Sequence, residues 1–297
     1  MRRVLLVVGL ACALVTPVVA HFADPQPKML YASNRSGNLE IYLMNADGSE
    51  AKNLTESKIN NMDPAWAPDG KLIAFTSDRN GTKDIYVMDA DGKNVKQLTK
   101  DNGENRIPTF SPDGKKILFA TNRDGNYEVY VMDADGSNQK NLTNDESYDA
   151  DPVWSPDGKK IAFASLRSGQ GFRVYVMDAD GKNVEDVSKT DNPQGYVYPT
   201  WSPDGKQIAY AEPVEEGGVE VFVMGVDGSN KKQLTKMGGM NTHSAWSPDG
   251  KKIAFQHWGQ GEESATLYMM DPDGSNQKEV VKGEGPVEGG RPAWKPK

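Results

Sequence analysis

The chain contains 297 residues with 34 basic and 42 acidic side chains, and its formal net charge is −8. This acidic balance argues against binding to nucleic acid or to an anionic membrane surface, both of which select basic proteins. The single cysteine, Cys12, lies near the N-terminus, so the remainder of the chain can form neither an internal disulfide nor a thiol site.

Residues 1–20 have the pattern of a secretory signal. Arg2 and Arg3 form a charged start, an apolar run covers residues 4–15, and Ala20 precedes a plausible cleavage point. The apolar run is too short for an ordinary membrane-spanning helix. The sequence therefore predicts a signal peptide over residues 1–20, export to the periplasm or the exterior, and no integral membrane segment after cleavage.

The rest of the sequence is built from one repeat. A strand motif followed by x-x-D-G ends at Gly48, Gly92, Gly136, Gly181, Gly228 and Gly274. A second motif, W-S-P-D-G with small variations, ends at Gly70, Gly114, Gly158, Gly205 and Gly250, at intervals of 44, 44, 47 and 45 residues. A fixed period in this range marks a propeller, a solenoid or an array. Because no linker interrupts the repeat, we expect residues 21–297 to form a single domain.

Each period contains four short strand signals. In the third copy they cover residues 117–120, 128–132, 140–143 and 151–154, with Gly-containing turns after the first, second and fourth. Four antiparallel strands per period are typical of a propeller blade. The chain starts near Lys28 with the second strand of a blade and ends near Trp294 with an innermost strand. The sequence thus predicts an all-β, six-bladed propeller whose C-terminal strand completes the first blade.

Two repeated positions are interpreted as packing between blades. One position carries Trp66, Phe110, Trp154, Trp201, Trp246 and Trp294. Another carries Met44, Met88, Met132, Met177, Met224 and Met270. Methionine fills irregular apolar gaps well, so this series favours core packing over a ladder of metal ligands.

The repeat also resembles a known family. The segments W-S-P-D-G-K-K-I-A-F, S-x-R-x-G and E-V-Y-V-M-D-A-D-G-S-N are similar to the TolB-like (WD40-like) propeller repeat, and the resemblance covers residues 28–297. We recognise no counterpart of the α/β domain that precedes the propeller in TolB. The resemblance implies a periplasmic or secreted protein whose propeller mouth binds peptides or small ligands, and it transfers no catalytic site.

Function is expected where the copies of the repeat differ. One variable position carries Asp63, Ile107, Asp151, Tyr198, His243 and Arg291. Two residues earlier stand Asn61, Asn105, Asp149, Tyr196, Asn241 and Gly289. Side chains alternate along a strand, so both sets are expected to face the central channel or its mouth. They form the predicted binding site.

Two metal sites are alternatives. Asp63, Asp149 and Asp151 offer the hard oxygen ligands that suit Ca²⁺. Five further residues offer soft or imidazole ligands that suit copper, namely Met237, Met240, His243, His257 and His21. No cofactor beyond these ions is implied.

The sequence contains no recognised catalytic motif. Asp63 and Asp151 remain an open alternative as the acid/base pair of a carbohydrate-active lyase or hydrolase. The first hypothesis is a non-enzymatic, monomeric interaction module that binds an extended peptide or an envelope protein at the channel mouth.

Overall fold

The computed structural model describes residues 26–190, 197–262, 264–285 and 290–297, with the backbone alone for residues 282–285. This part of the chain contains 24 strands and no helix. Within it, accordingly, no helix has the length and apolar character needed to cross a membrane. The predicted signal peptide over residues 1–20 lies outside the described residues.

The first twelve strands are β1 (Lys28–Ser33), β2 (Glu40–Asn45), β3 (Lys52–Asn53), β4 (Asn61–Trp66), β5 (Leu72–Ser77), β6 (Asp84–Asp89), β7 (Lys96–Gln97), β8 (Asn105–Phe110), β9 (Lys116–Thr121), β10 (Glu128–Asp133), β11 (Lys140–Asn141) and β12 (Asp149–Trp154). The remaining strands are β13 (Lys160–Ser165), β14 (Arg173–Asp178), β15 (Glu185–Asp186), β16 (Thr200–Trp201), β17 (Gln207–Pro213), β18 (Val219–Gly225), β19 (Lys232–Gln233), β20 (Met240–Trp246), β21 (Ile253–Trp258), β22 (Ala265–Met270), β23 (Lys278–Gly285) and β24 (Ala293–Trp294).

The strands form antiparallel sheets that follow the repeat. Three four-stranded sheets contain β4 to β7, β8 to β11 and β12 to β15, and a fourth has the order β24-β1-β2-β3. The fifth sheet holds eight strands, β16 to β23. The predicted all-β class and the four-stranded antiparallel unit are therefore confirmed.

The eight-stranded sheet differs from the expected separate blades. Its two halves are joined by one parallel pair, Val219 with Met240. The amide of Val219 donates to the carbonyl oxygen of Gly239 at 2.8 Å. Glycine permits this close approach, because a Cβ on Gly218 would lie 2.5 Å from that same oxygen. The extra pairing is thus a contact between two turns.

The two ends of the described chain lie side by side. Met29 pairs with Trp294 and Leu30 pairs with Ala293 in an antiparallel register. The amide of Lys295 donates to the carbonyl oxygen of Lys28 at 2.8 Å. The C-terminal strand is thus the edge strand of the sheet that contains β1, β2 and β3.

The core consists of apolar clusters between neighbouring strand groups. The cluster of Leu30, Ile73 and Phe75, for example, joins the sheet that contains β1 to the sheet that contains β5. The repeated methionines are 0–1% exposed, and each repeated tryptophan belongs to or packs against one of these clusters. Both series therefore pack in the apolar core, as expected from the sequence.

Most innermost strands carry a bulge. The register shifts between Met62 and Ala65, and the same shift recurs in β8, β12 and β20. The bulged residue has a left-handed backbone, with φ of 52° at Asp63 and 56° at Ile107. Asp151, Tyr198 and His243 share this conformation. A bulge redirects side chains, so it decides which residues face the hub.

Candidate functional site

A central cavity of about 720 Å³ lies where the innermost strands meet. The first variable position lines it in every copy, and we call this set the waist: Asp63, Ile107, Asp151, Tyr198, His243 and Arg291. The structure therefore brings together all six residues of the first predicted set.

The second predicted set does not face the cavity. Asn61, Asn105, Asp149 and Asn241 are 0% exposed and do not belong to the cavity wall. Tyr196 and Gly289 lie outside the described residues. The expectation that both sets point the same way is wrong for the four described members, because the bulge interrupts the alternation of side chains along the strand.

These buried residues instead connect strands within the scaffold. Arg79 donates to Asn61 Oδ1 at 3.0 Å, and Asn61 Nδ2 donates to Glu40 Oε2 at 3.3 Å. The guanidinium of Arg79 also lies 4.5 Å from the ring centroid of Tyr86. Buried polar groups are stable only when they are hydrogen-bonded, and this network satisfies them. We assign it to the fold.

Asp149 is the exception in this network. It pairs with Arg167 at 2.6 Å, but a carboxylate cannot donate a hydrogen bond to Glu128 as the amide of Asn105 does to Asp84. Its Oδ1 atom is buried and has no hydrogen-bond partner in the described part of the chain. Burial raises the pKa of Asp149 to about 6, and the charge of Glu128 acts in the same direction.

An ion pair crosses the waist. Arg291 Nη2 lies 3.5 Å from Asp151 Oδ1, and the two side chains are 15% and 13% exposed. Burial raises the pKa of Asp151, while the charge of Arg291 opposes that shift. The two residues come from sheets that share none of the apolar clusters, so the pair spans the cavity.

Asp63 lies near this pair without a direct cationic partner. Its carboxylate accepts a hydrogen bond from the Thr76 hydroxyl at 3.0 Å, and within the described ranges it forms no ion pair. Burial raises the pKa of Asp63 to about 6, and the charge of Asp151 raises it further while Thr76 and Arg291 lower it. The waist therefore holds two carboxylates against the single guanidinium of Arg291.

A stacked ring pair completes the waist. The imidazole of His243 lies 3.9 Å from the ring of Tyr198, with an angle of 28° between the planes. The Nδ1 atom of His243 hydrogen-bonds the hydroxyl of Thr242 at 2.9 Å. Burial lowers the pKa of His243 to about 3, and the charge of Arg291 acts in the same direction. The imidazole is thus neutral at ordinary pH.

An aromatic surface that the sequence analysis missed lines the same cavity. We call Tyr127, Tyr148 and Phe172 the aromatic arc. The ring centroids of Tyr127 and Tyr148 are 4.9 Å apart, and those of Tyr148 and Phe172 are 5.4 Å apart. All three rings are half-buried.

A signal for the arc is present in the repeat. At the position of Tyr127 and Phe172 the other copies carry Leu39, Lys83, Val219 and Ala265. Comparing this position between copies would have singled out the two rings.

The predicted metal ligands are not assembled. Among the described residues, no group of three His, Asp or Glu side chains is placed to hold a metal ion. Asp149 is buried away from the cavity that Asp63 and Asp151 line. The calcium alternative therefore receives no support from their arrangement.

The predicted copper ligands are divided between the cavity, which Met240 and His243 line, and its surroundings. His257 Nδ1 hydrogen-bonds Asn241 Oδ1 at 2.9 Å, while His243 lies in the waist. Met237 packs against an apolar cluster, and Met240 is 36% exposed. His21 lies outside the described residues.

Comparison with solved structures agrees with this architecture. The crystal structure of TolB from Acinetobacter baumannii is 27% identical, has a TM-score of 0.76, and the match covers 91% of this chain and 67% of that one. The structure of a putative TolB from Agrobacterium tumefaciens is 20% identical, has a TM-score of 0.71, and the match covers 90% and 91% of the two chains. The second similarity shows the fold alone.

Sequence comparison gives the family. A protein TolB homolog of Chlorobaculum tepidum is 41% identical over 49 residues, which make up 16% of this chain and 11% of that protein. The chain thus matches only a small part of that relative's length. A family model described as the TolB beta propeller domain matches residues 19–107 and 95–297. Because this match extends over most of the sequence, the chain belongs to the TolB beta propeller domain family.

Proposed function

We propose that this protein is an exported interaction module that binds an extended peptide or an envelope protein at the mouth of its central channel. The observation that carries the proposal is the waist, where the six copies of a regular repeat contribute five different kinds of side chain to one partly enclosed cavity. Concave, largely preformed cavities with a few converging polar groups are the usual form of a binding site.

The proposal includes a closed, six-bladed propeller. It is supported by the pairing of β24 with β1 and by the apolar cluster that joins Met29 and Tyr31 to Ala245 and Ala254. On this interpretation the eight-stranded sheet represents two blades joined by the contact between Val219 and Met240. In such a closed ring, β24 covers the edge of β1 that would otherwise be unpaired.

Export is proposed from the N-terminal sequence and from the family. We propose that residues 1–20 are removed as a signal peptide, that residues 21–297 form one domain, and that it functions in the periplasm or after secretion. The membership in the TolB beta propeller domain family agrees with this proposal.

The waist suits binding better than catalysis. Asp151 is engaged by Arg291 and Asp63 by Thr76, while His243 is neutral and hydrogen-bonded to Thr242. A polar lining that is held in place by such contacts is preorganised to recognise a ligand. No arrangement at the waist specifically favours the lyase or hydrolase alternative.

A pull-down from envelope extract tests the proposal. The double substitution Asp151→Ala with Arg291→Ala should abolish capture of the partners retained by the wild-type protein. Its melting temperature should stay close to the wild-type value, because removing both charges leaves neither one unpaired.

The control is Glu185→Gln, which removes one exposed charge from the outer strand β15 and should leave capture unchanged. If every partner is still captured by the double variant, the waist is not the binding site.

A further inference from the structure

The mouth of the channel indicates which class of extended segment binds there. The aromatic arc of Tyr127, Tyr148 and Phe172 gives the cavity an apolar wall, and Met240 and Trp258 line the same cavity from the eight-stranded sheet. Rigid, half-buried aromatic rings in a concave site are among the residues that contribute most to binding energy in protein interfaces.

The polar groups beside the arc are engaged with each other. Glu104 accepts hydrogen bonds from the hydroxyl of Tyr127 at 2.6 Å and from the guanidinium of Arg106, which lies 5.4 Å from the ring centroid of Tyr127. A ligand on the arc therefore gains mainly from contact with ring faces. This favours apolar rings over sugar hydroxyls, which need many directional hydrogen bonds.

The backbone at the waist disfavours strand addition. A peptide that extended the sheet would have to pair along the inner edge of strands such as β4 or β12. Asp63 and Asp151 interrupt those edges, because each adopts a left-handed backbone at a bulge. The site therefore favours a peptide that is recognised through its side chains and not through backbone pairing. The polyproline II conformation presents side chains in this way.

The length of the arc fits such a segment. The outer rings, Tyr127 and Phe172, lie no more than about 10 Å apart. A polyproline II helix advances about 9 Å in one turn of three residues. Two prolines three positions apart would each meet a ring of the arc.

The charge of the waist indicates a second property of the ligand, a cationic side chain. Asp63 and Asp151 face one arginine, Arg291, and the nearby Arg106 is committed to Glu104. One carboxylate in the partly enclosed waist therefore lacks an ion-pair partner among the described residues. A cationic side chain from a ligand would compensate it.

The two features are within reach of one ligand. Tyr148 precedes Asp151 by three residues, so about 10 Å of strand separates the arc from the waist.

We propose that the channel binds an extended, proline-rich segment that carries one lysine or arginine. The prolines stack on the aromatic arc, and the cationic side chain is directed at Asp63. This inference rests on the proposed function, since it specifies the ligand of the same site.

The first experiment selects ligands without assuming a natural partner. The probe is a phage-displayed library of random short peptides, applied to the immobilised full-length protein. We expect the enriched sequences to share prolines three positions apart and one lysine or arginine. A synthetic copy of the best sequence is then measured by fluorescence polarisation.

Substitutions in the protein then locate the contacts. Tyr148→Ala should weaken binding of that peptide by about tenfold, the usual loss when one aromatic anchor is removed. Tyr148→Phe keeps the ring and should bind like the wild type. Asp63→Asn should weaken binding by about tenfold as well.

The charge contact is isolated by changing both partners. A peptide whose basic residue is replaced by glutamine should bind the wild type and Asp63→Asn equally well. Glu185→Gln serves as the matched control, since it removes one carboxylate from an outer strand and should leave affinity unchanged. Melting curves of each variant verify that it is folded.

The outcomes separate the two proposals. Enriched peptides that lose binding in the Asp151→Ala/Arg291→Ala variant but lack prolines, or that tolerate Tyr148→Ala, would overturn the inference and leave the channel as the binding site. Peptides whose affinity is unchanged by Tyr148→Ala, by Asp63→Asn and by the Asp151→Ala/Arg291→Ala double substitution would overturn the proposed function itself, because each of these changes alters the channel lining.

Discussion

Asp151 and Arg291 meet across the central cavity, with 3.5 Å between the carboxylate oxygen and the guanidinium nitrogen. Asp151 belongs to β12 and Arg291 precedes β24, so the pair joins residues 140 positions apart in the sequence. The corresponding positions of other copies carry side chains as different as Ile107 and Tyr198. The pair is therefore a property of this molecule and not of the repeat.

Removing one member of this pair should cost stability. Arg291→Met is expected to lower the free energy of unfolding by about 1–3 kcal/mol at pH 7, because it leaves Asp151 charged and partly buried without a counterion. Arg291 now opposes the rise in the pKa of Asp151, so the variant raises that pKa further. The deficit should shrink as the pH falls and Asp151 takes up a proton.

Urea unfolding at several pH values measures the effect. The double variant Asp151→Asn with Arg291→Met is the control, and it should recover most of the loss. A single variant as stable as the wild type at pH 7 would show that the pair carries no stabilising charge interaction.

Replacing Asp149 by asparagine should stabilise the folded protein. Asp149→Asn is expected to raise the free energy of unfolding by about 1–3 kcal/mol at pH 8, since an amide can donate toward Glu128 and carries no buried charge. Arg167 should keep its hydrogen bond, because an amide oxygen can accept from it as Asn105 Oδ1 accepts from Arg123 at 2.8 Å. The pKa of Asp149 is raised to about 6, so the folded wild type binds a proton more tightly than the unfolded chain does. The wild type therefore regains stability as the pH falls through 6, and the advantage of the variant should disappear.

The reciprocal change provides a matched control. Asn105→Asp places a carboxylate beside Asp84 in the neighbouring sheet and should be destabilising at pH 8. Denaturant midpoints for both variants decide the matter. Equal midpoints for the wild type and Asp149→Asn would contradict the proposed charge conflict.

The ionised carboxylate of Asp63 is expected to lower folding stability and to strengthen the binding of a basic peptide. Its pKa is raised to about 6, mainly by burial and then by the charge of Asp151, so its ionisation costs folding stability as the pH rises. Asp63→Asn should therefore raise the melting temperature at pH 8 and leave it little changed near pH 4. The same variant should bind a basic peptide less tightly.

Calorimetric melting and peptide titration at both pH values test this pairing of effects. For the wild type, peptide affinity should fall as the pH drops below 6 and Asp63 becomes neutral. An affinity that is constant across this range would argue against a charge contact at Asp63.

The C-terminal strand should be essential to the whole fold. Deleting residues 290–297 removes β24, its pairing with β1, and the indole of Trp294, which packs with Met29 and Tyr31. Loss of a buried tryptophan alone costs about 3–5 kcal/mol, and the open edge adds to this. The truncated protein should melt far below the wild type.

Circular dichroism against temperature measures the loss. Deleting only residues 296–297 is the control and should have a small effect. A deletion of residues 290–297 that melts like the intact protein would refute ring closure by this strand.

The backbone of Ile107 is expected to be strained. It adopts φ of 56°, a left-handed conformation that β-branched residues strongly disfavour. Ile107→Asn should raise the free energy of unfolding by up to about 1 kcal/mol, because asparagine tolerates this conformation. Thermal melting measures the change, and Ile117→Val at a regular buried position should instead destabilise.

Much of the architecture could be predicted from the sequence. The repeat places a hairpin glycine after each strand that carries the repeated methionine, and Gly48 and Gly92 have the left-handed φ that such turns need. The burial of Met88 and Met132 also followed from their recurrence. These features are local and are repeated in each period, so one copy confirms another.

The arrangement of the hub could not be predicted in this way. Alternation along the strand placed Asn61 beside Asp63 on the channel wall, but the bulge at Asp63 turns one side chain to the cavity and leaves the other in the scaffold. A single residue with a left-handed backbone causes this change, and the bulge cannot be predicted from the pattern of apolar and polar residues along the strand.

The strands, the turns and the residues that vary between copies can be predicted from the amino-acid sequence, because each depends on contacts within one period. The contact of Asp151 with Arg291, and the surface that Tyr127, Tyr148 and Phe172 form together, are visible only in the folded protein. These relationships depend on how the sheets pack against one another, which brings residues far apart in the chain next to each other at the cavity.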